Sequence, residues 1–189
     1  SINFRIKSCL FFFFTLLFHL TINAQTLTIS STGDNGPSSG TNWSISSNTL
    51  TVTGTANIRA SVIANALTNG SLSIVGNTTT FNVTISESIT ATGNNALTVA
   101  SATNTGTITF NAVTSFAGPV TVNGGDITVS QNLTSTLAGA DILLQASGAI
   151  NLSSSTTIQT SSGDITFRAN AGGTAVVTPS SSIGAITLN

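Results

Sequence analysis

Two aspartates stand where paired chemistry is conceivable. Asp141 and Asp164 open the same kind of phrase, Ala140-Asp141-Ile142-Leu143-Leu144 and Gly163-Asp164-Ile165-Thr166-Phe167. If those phrases stack as neighbouring strands, their carboxylates come within about 5 Å of each other. Carboxylates that close can bond the backbone of their own turns. They can also contribute to a weak Ca²⁺ site completed by carbonyl oxygens, or act as the acid and nucleophile of glycoside hydrolysis. Asp126, in the related phrase Gly125-Asp126-Ile127, belongs to another strand series and is expected elsewhere. The turn role is the simplest of the three. Ca²⁺ at Asp141 and Asp164 is kept as a weak candidate, with no metal, cofactor or catalytic residue assigned.

The other reactive side chains are few. The one histidine, His19, and the one cysteine, Cys9, both fall within the stretch 1–24, as does Lys7, and there is no tyrosine. Without that segment the chain has no imidazole, thiol, phenol or lysine amine, which removes most general bases and nucleophiles. An enzyme is therefore not expected. Arg59 and Arg168 remain as cations against five carboxylates. Both read as solvated charges, and nothing attracts a polyanion by counterion release, so nucleic acid is not a partner. Gly124-Gly125-Asp126 lacks the further glycine and repeat of the calcium-binding nonapeptide. Asn-x-Ser/Thr triplets at Asn42, Asn69, Asn77, Asn82, Asn132 and Asn151 are what a Ser/Thr/Asn-rich composition yields by chance. Trp43 is expected in the core or capping the first turn, with a sugar-stacking platform as the alternative.

Residues 1–24 read as a signal peptide. Arg5 and Lys7 precede an apolar run from Cys9 to Leu20, and Ala24 supplies a small residue before Gln25. The run is too short for a confident spanning helix, which needs about 20 residues, so no stable membrane span is expected after cleavage. Cys9 precedes the apolar run, whereas a lipid-anchor cysteine would follow it. The mature chain then has no disulfide to form.

The elements that must position these residues are short strands. Of the 189 residues only 5% are charged while 40% are apolar, which does not fit ordinary disorder. From Gly124 onward a small turn residue, a short residue and an apolar/polar/apolar triplet recur five times, the mark of a strand with one buried face. Three series of apolar positions interleave: Leu50, Ile74, Leu97, Val120, Ile142, Ile165, Ile186; Ile85, Ile108, Ile127, Ile150, Val176; and Ile89, Val113, Leu133, Ile158, Ile183.

Each series repeats about every 23 residues, and self-similarity at such a period is the signature of a solenoid. The expected fold is all-β, a three-sided right-handed parallel β-helix with three strands per coil. Residues 25–49 are expected to form a cap-like strand and loop, with Thr26 to Ile29 as a strand and Thr32 to Gly40 as a loop, and residues 50–189 the repeats. Corner glycines are expected to supply positive φ. The sequence stops inside a strand phrase, Ile186-Thr187-Leu188-Asn189, without a polar cap. The chain is therefore read as the N-terminal part of a longer protein.

The phrases Ser162-Gly-Asp-Ile-Thr-Phe-Arg-Ala169 and Ser147-Gly-Ala-Ile-Asn-Leu152 resemble repeat units of bacterial secreted parallel β-helix adhesins, of the filamentous-haemagglutinin and autotransporter-passenger type. The resemblance covers roughly 50–189, and the leader ending in Asn-Ala-Gln is similar to those of Bacteroidetes-type surface proteins. No Asn-Pro-Asn signature follows the leader, so the export route is not implied. The resemblance implies a secreted or cell-surface bacterial adhesin or surface-structural stalk, whose partners are host or environmental surface glycans or proteins. Two rivals remain. One is a carbohydrate-active β-helix lyase or hydrolase. The other is an ice-binding solenoid using outward rows such as Thr26/Thr28 and Thr107/Thr109, which look irregular in the sequence.

Overall fold

A computed structural model describes residues 24–169 and the strand 177–179. The expected leader, but for Ala24, lies outside the described residues, as do Val176, Ile183 and Ile186. The chain opens with β1 (Gln25–Asp34), β2 (Ser39–Gly40), β3 (Trp43–Ser46), β4 (Thr49–Val52) and β5 (Thr55–Ile58), then α1 (Ala60–Asn69). There follow β6 (Leu72–Gly76), β7 (Phe81–Ile85), β8 (Ile89–Ala91), β9 (Leu97–Val99), β10 (Ile108–Phe110), β11 (Thr114–Phe116) and β12 (Val120–Gly124). The last are β13 (Ile127–Val129), β14 (Leu133–Ala138), β15 (Ile142–Ala146), β16 (Ile150–Leu152), β17 (Ile158–Ser161), β18 (Ile165–Ala169) and β19 (Val177–Pro179).

These strands make three sheets. Sheet 1 has seven strands in the order β19-β16-β13-β10-β7-β1-β5; sheet 2 has four, β17-β14-β11-β8; sheet 3 has eight, β18-β15-β12-β9-β6-β4-β3-β2. From β7 onward the chain visits sheets 1, 2 and 3 in turn, so each strand pairs in parallel with the one a coil away. Ile108, Ile127 and Ile150 stack in this way and are all fully buried. The apolar/polar/apolar triplets do what their period requires: in β9, β10, β13 and β16 the outer two residues are buried and the middle one is half-exposed. A coil alone could not cover this core, and the neighbouring coils complete it. The protein is a parallel β-solenoid.

The register corrects each of the three apolar series. In sheet 3, Leu97 pairs with Leu72, and Ile74 with Val99; in sheet 1, Ile108 pairs with Val83, and Ile85 with Phe110. Both differences are of two positions, which leaves every side chain on the same face. Further along sheet 1, Ile150 pairs with Val177 where the series has Val176. In the third series Thr114, and not Val113, pairs with Ile89 and Leu133. Val113 is 46% exposed while Thr114 is fully buried. Phe116 decides the phase, because seating its ring inside β11 forces the residue two before it inward.

The N-terminal part departs most from a plain coil. β1 runs through Thr32 to Asp34, where a loop is expected, and is inserted in parallel between β5 and β7. β2, β3 and β4 form an antiparallel meander at the end of sheet 3. After β5 comes α1, which packs mainly against β8, the end strand of sheet 2. Its adjacent apolar residues Val62 and Ile63 break the two-residue alternation, and with Ala60 and Leu67 they make a buried helical face. No side chain of α1's own cap bonds its first turn; Glu87 Oε2 instead accepts from the Ala60 N–H at 2.8 Å, placing a negative group at the helix N-terminus.

Corner glycines serve close approach instead of positive φ. Among the described glycines only Gly139 lies in the left-handed region, with φ 76°. At Gly163 a Cβ would fall 2.1 Å from the Ala140 carbonyl oxygen of the coil below. The left-handed positions are Asn42, Ser47, Asn48, Ala100, Ser155 and Ser162.

Candidate functional site

Asp141 and Asp164 are brought together as neighbours at the mouths of β15 and β18. Ile142 pairs with Ile165, so the preceding aspartates face each other across one strand spacing. Asp141 Oδ1 accepts a hydrogen bond from the Asp164 backbone N–H at 2.8 Å. The carboxylate thus bonds the turn of the next coil. Among the described residues no group of three His, Cys, Asp or Glu gathers around any point.

The same device recurs. Asp126 Oδ1 accepts from Ala149 N at 2.7 Å, Asn132 Oδ1 from Thr157 N at 2.9 Å, and Asn82 Oδ1 from Thr107 N at 2.8 Å. In each case an Asx side chain just before an inward residue takes the N–H at the matching position one coil on. Asp126 lies on sheet 1, apart from the sheet 3 pair, as its series predicts. Asn82 and Asn132, which in the sequence show only as glycosylation-type triplets, belong to this set.

The remaining carboxylates are occupied in similar ways. Asp34 Oδ1 accepts from Gly36 N at 2.9 Å, and its Oδ2 from the Trp43 indole N–H at 3.3 Å. Trp43 is only 3% exposed, so its ring packs in the core and is not a sugar-stacking platform. Glu87 serves α1. Arg59 is half-buried and donates to the Ser31 carbonyl, while Arg168 points outward from β18.

Buried polar residues form a second set that the sequence does not separate from outward ones. Asn104 Oδ1 accepts from Phe81 N at 2.9 Å and from Gly106 N at 3.1 Å, and its amide donates to Phe81 O at 3.0 Å. Asn123 donates to Ala100 O at 2.9 Å one coil below. These amides satisfy backbone groups at a corner where the ladder is interrupted. Their signal in sequence is only an Asn near a strand end.

A cleft of about 310 Å³ lies beside α1, lined by the amides of Asn35, Asn48, Asn65 and Asn69 over Ile45 and Val62. It carries no ionisable group, so its chemistry is neutral hydrogen bonding. Among the described residues no helix is long and apolar enough to cross a membrane. Compared with known proteins, the chain matches no protein-family model, no curated protein and no solved structure.

Proposed function

We propose that this chain is a stiff β-solenoid segment of a secreted, cell-surface bacterial adhesin or surface-structural protein. Its three sheets are taken as the three sides of a right-handed coil, and residues 1–24 as its cleaved leader. The observation that carries the reading is the unbroken parallel pairing from coil to coil, as in Val83, Ile108, Ile127 and Ile150. Such stacking fixes each coil to its neighbours through a shared apolar bore, which makes a rod resistant to bending. A rod with a nearly uncharged flank holds whatever it bears at a set distance and can add weak multivalent contacts to surface glycans or proteins. The carboxylates of Asp34, Glu87, Asp126 and Asp141 already accept N–H groups of the fold. That favours a structural role over acid–base chemistry.

The test is protease shaving of intact producing cells, followed by immunoblotting with antibody to this chain. Signal in the surface or medium fraction, removed by external protease, is the expected result. Retention in the cytoplasm with protection from protease would overturn the proposal.

A further inference from the structure

The structure resolves the apparent irregularity of the threonine rows. Thr26/Thr28 and Thr107/Thr109, far apart in the chain, lie on the same outer face of sheet 1. Thr28 pairs with Thr84, Thr84 with Thr109, and Thr109 with Thr128, giving four threonines in one column. Asn57 and Asn151 extend the column at its two ends. A second column, two positions earlier on each strand, runs Thr55, Thr26, Asn82, Thr107, Asp126 and Ala149, with Asp126 as the one exposed carboxylate among them. The pairing across these strands has no register shift from Gln25 to Ile29 and from Phe81 to Leu152.

Such columns make a two-dimensional mesh, with about 4.8 Å between strands and about 6.6 Å between alternate residues along each strand. Threonine is β-branched and stiff at χ1, so each mesh point presents a hydroxyl and a methyl in a fixed direction. Asn82 is tied to Thr107 N, but among the described residues the hydroxyls of Thr28, Thr84, Thr109 and Thr128 make no side-chain hydrogen bond. All four residues are half-exposed. The other sheets lack this regularity. The sheet 3 column runs Thr49, Ser73, Thr98, Thr121, Leu143, Thr166, its threonines interrupted by serine and leucine, and its neighbour runs Asn123, Gln145, Arg168; sheet 2 offers Thr90, Ser115, Thr134 and Gln159.

From this we infer that the outer face of sheet 1 binds ice. A run of four threonines flanked by asparagines, with Asp126 in the neighbouring column, has no aromatic or arginine anchor of the kind that dominates protein interfaces. It has no aromatic platform for a sugar ring, and no cations for a polyanion. Its natural ligand is a surface that repeats on a comparable mesh and is made of hydrogen-bonding sites, and crystalline water is that surface. The hydroxyls take lattice positions while the methyls order the water between them. The inference stands apart from the stalk proposal, since neither requires the other.

The experiment measures thermal hysteresis and inhibition of ice recrystallisation by the full chain, by Thr109→Lys at the centre of the mesh, and by Thr121→Lys on sheet 3. The chain is expected to give hysteresis and faceted crystals. Thr109→Lys should lose most of that activity and Thr121→Lys should keep it, with both variants showing the parent's circular dichroism and melting curve. Absence of hysteresis and of crystal shaping in the parent chain would overturn the inference, as would equal loss in the two variants. A surface-exposed chain without ice activity would refute this inference and leave the stalk proposal standing.

Discussion

Asp141 and Asp164 are joined by a hydrogen bond from the Asp164 backbone N–H to Asp141 Oδ1, 2.8 Å long, across one coil of the solenoid. A pair that in sequence admits turn support, metal binding or hydrolysis is thus, in the structure, a link between successive turns. Asn82 and Asn132 make the same link with an amide oxygen. What the position requires is an acceptor, and charge is secondary.

Replacing that acceptor should show it. Asp141→Ala leaves the Asp164 N–H to water at an exposed corner and is expected to cost about 1 kcal/mol in urea unfolding. Asp141→Asn retains an oxygen in place and should lie within about 0.5 kcal/mol of the parent. Chelator should leave the melting temperature of the parent unchanged. A large drop on chelation, restored by Ca²⁺, would mean that the pair holds a metal ion.

Glycine at the corners is required by contact in one place and by backbone in another. Gly163→Ala drives a Cβ into the Ala140 carbonyl oxygen, and the expected cost is about 1–3 kcal/mol. Around Gly139 nothing lies within 4 Å of an added Cβ, but its φ is 76°. Gly139→Ala is therefore expected to cost about 1 kcal/mol through strain alone. Gly139→Asn should recover much of that, because asparagine tolerates the left-handed region. Thermal melts of the three variants check the ordering.

The register at β11 makes a counterintuitive prediction. Thr114 is fully buried and its Oγ1 has no hydrogen-bond partner, while Val113 beside it is 46% exposed. Thr114→Val removes a buried unsatisfied hydroxyl at constant shape and should stabilise the chain by about 1 kcal/mol. Val113→Thr should fall within about 0.5 kcal/mol of the parent. If Val113→Thr proved the costly change and Thr114→Val did not stabilise, the phase of this strand would be wrong.

How much of this is legible in the sequence follows from the symmetry of the pattern. The triplets Leu97-Thr98-Val99 and Ile127-Thr128-Val129 announce strands and their buried faces, and their period announces stacking. They do not fix register to better than two positions, because Leu97 and Val99 are equally suited to pair with Ile74. Val113 misleads because hydrophobicity favours valine inside, whereas the ring of Phe116 sets the phase. At the N-terminal end, α1 is held by packing on β8 and by Glu87, distant in the chain from the Ala60 N–H it accepts. Such support is not visible in a local window. The carboxylates are legible as turn residues, but which N–H each one takes depends on the register. The threonine mesh depends on it for the same reason.

Register is therefore the claim on which the account rests, and cross-linking tests it most directly. In a chain carrying Cys9→Ser, Thr84→Cys is combined with Thr109→Cys or with Thr107→Cys and oxidised under native conditions. The structure pairs Thr84 with Thr109, so that pair should bridge, with Cα atoms about one strand spacing apart. Thr84 and Thr107 would be diagonal, about 8 Å apart from the strand geometry, beyond the reach of a disulfide. Bridging of Thr84→Cys with Thr109→Cys alone is the predicted result. Bridging with Thr107→Cys instead would restore the register that pairs Ile85 with Ile108 and dissolve the threonine mesh, and bridging of neither would contradict the stacked coil itself.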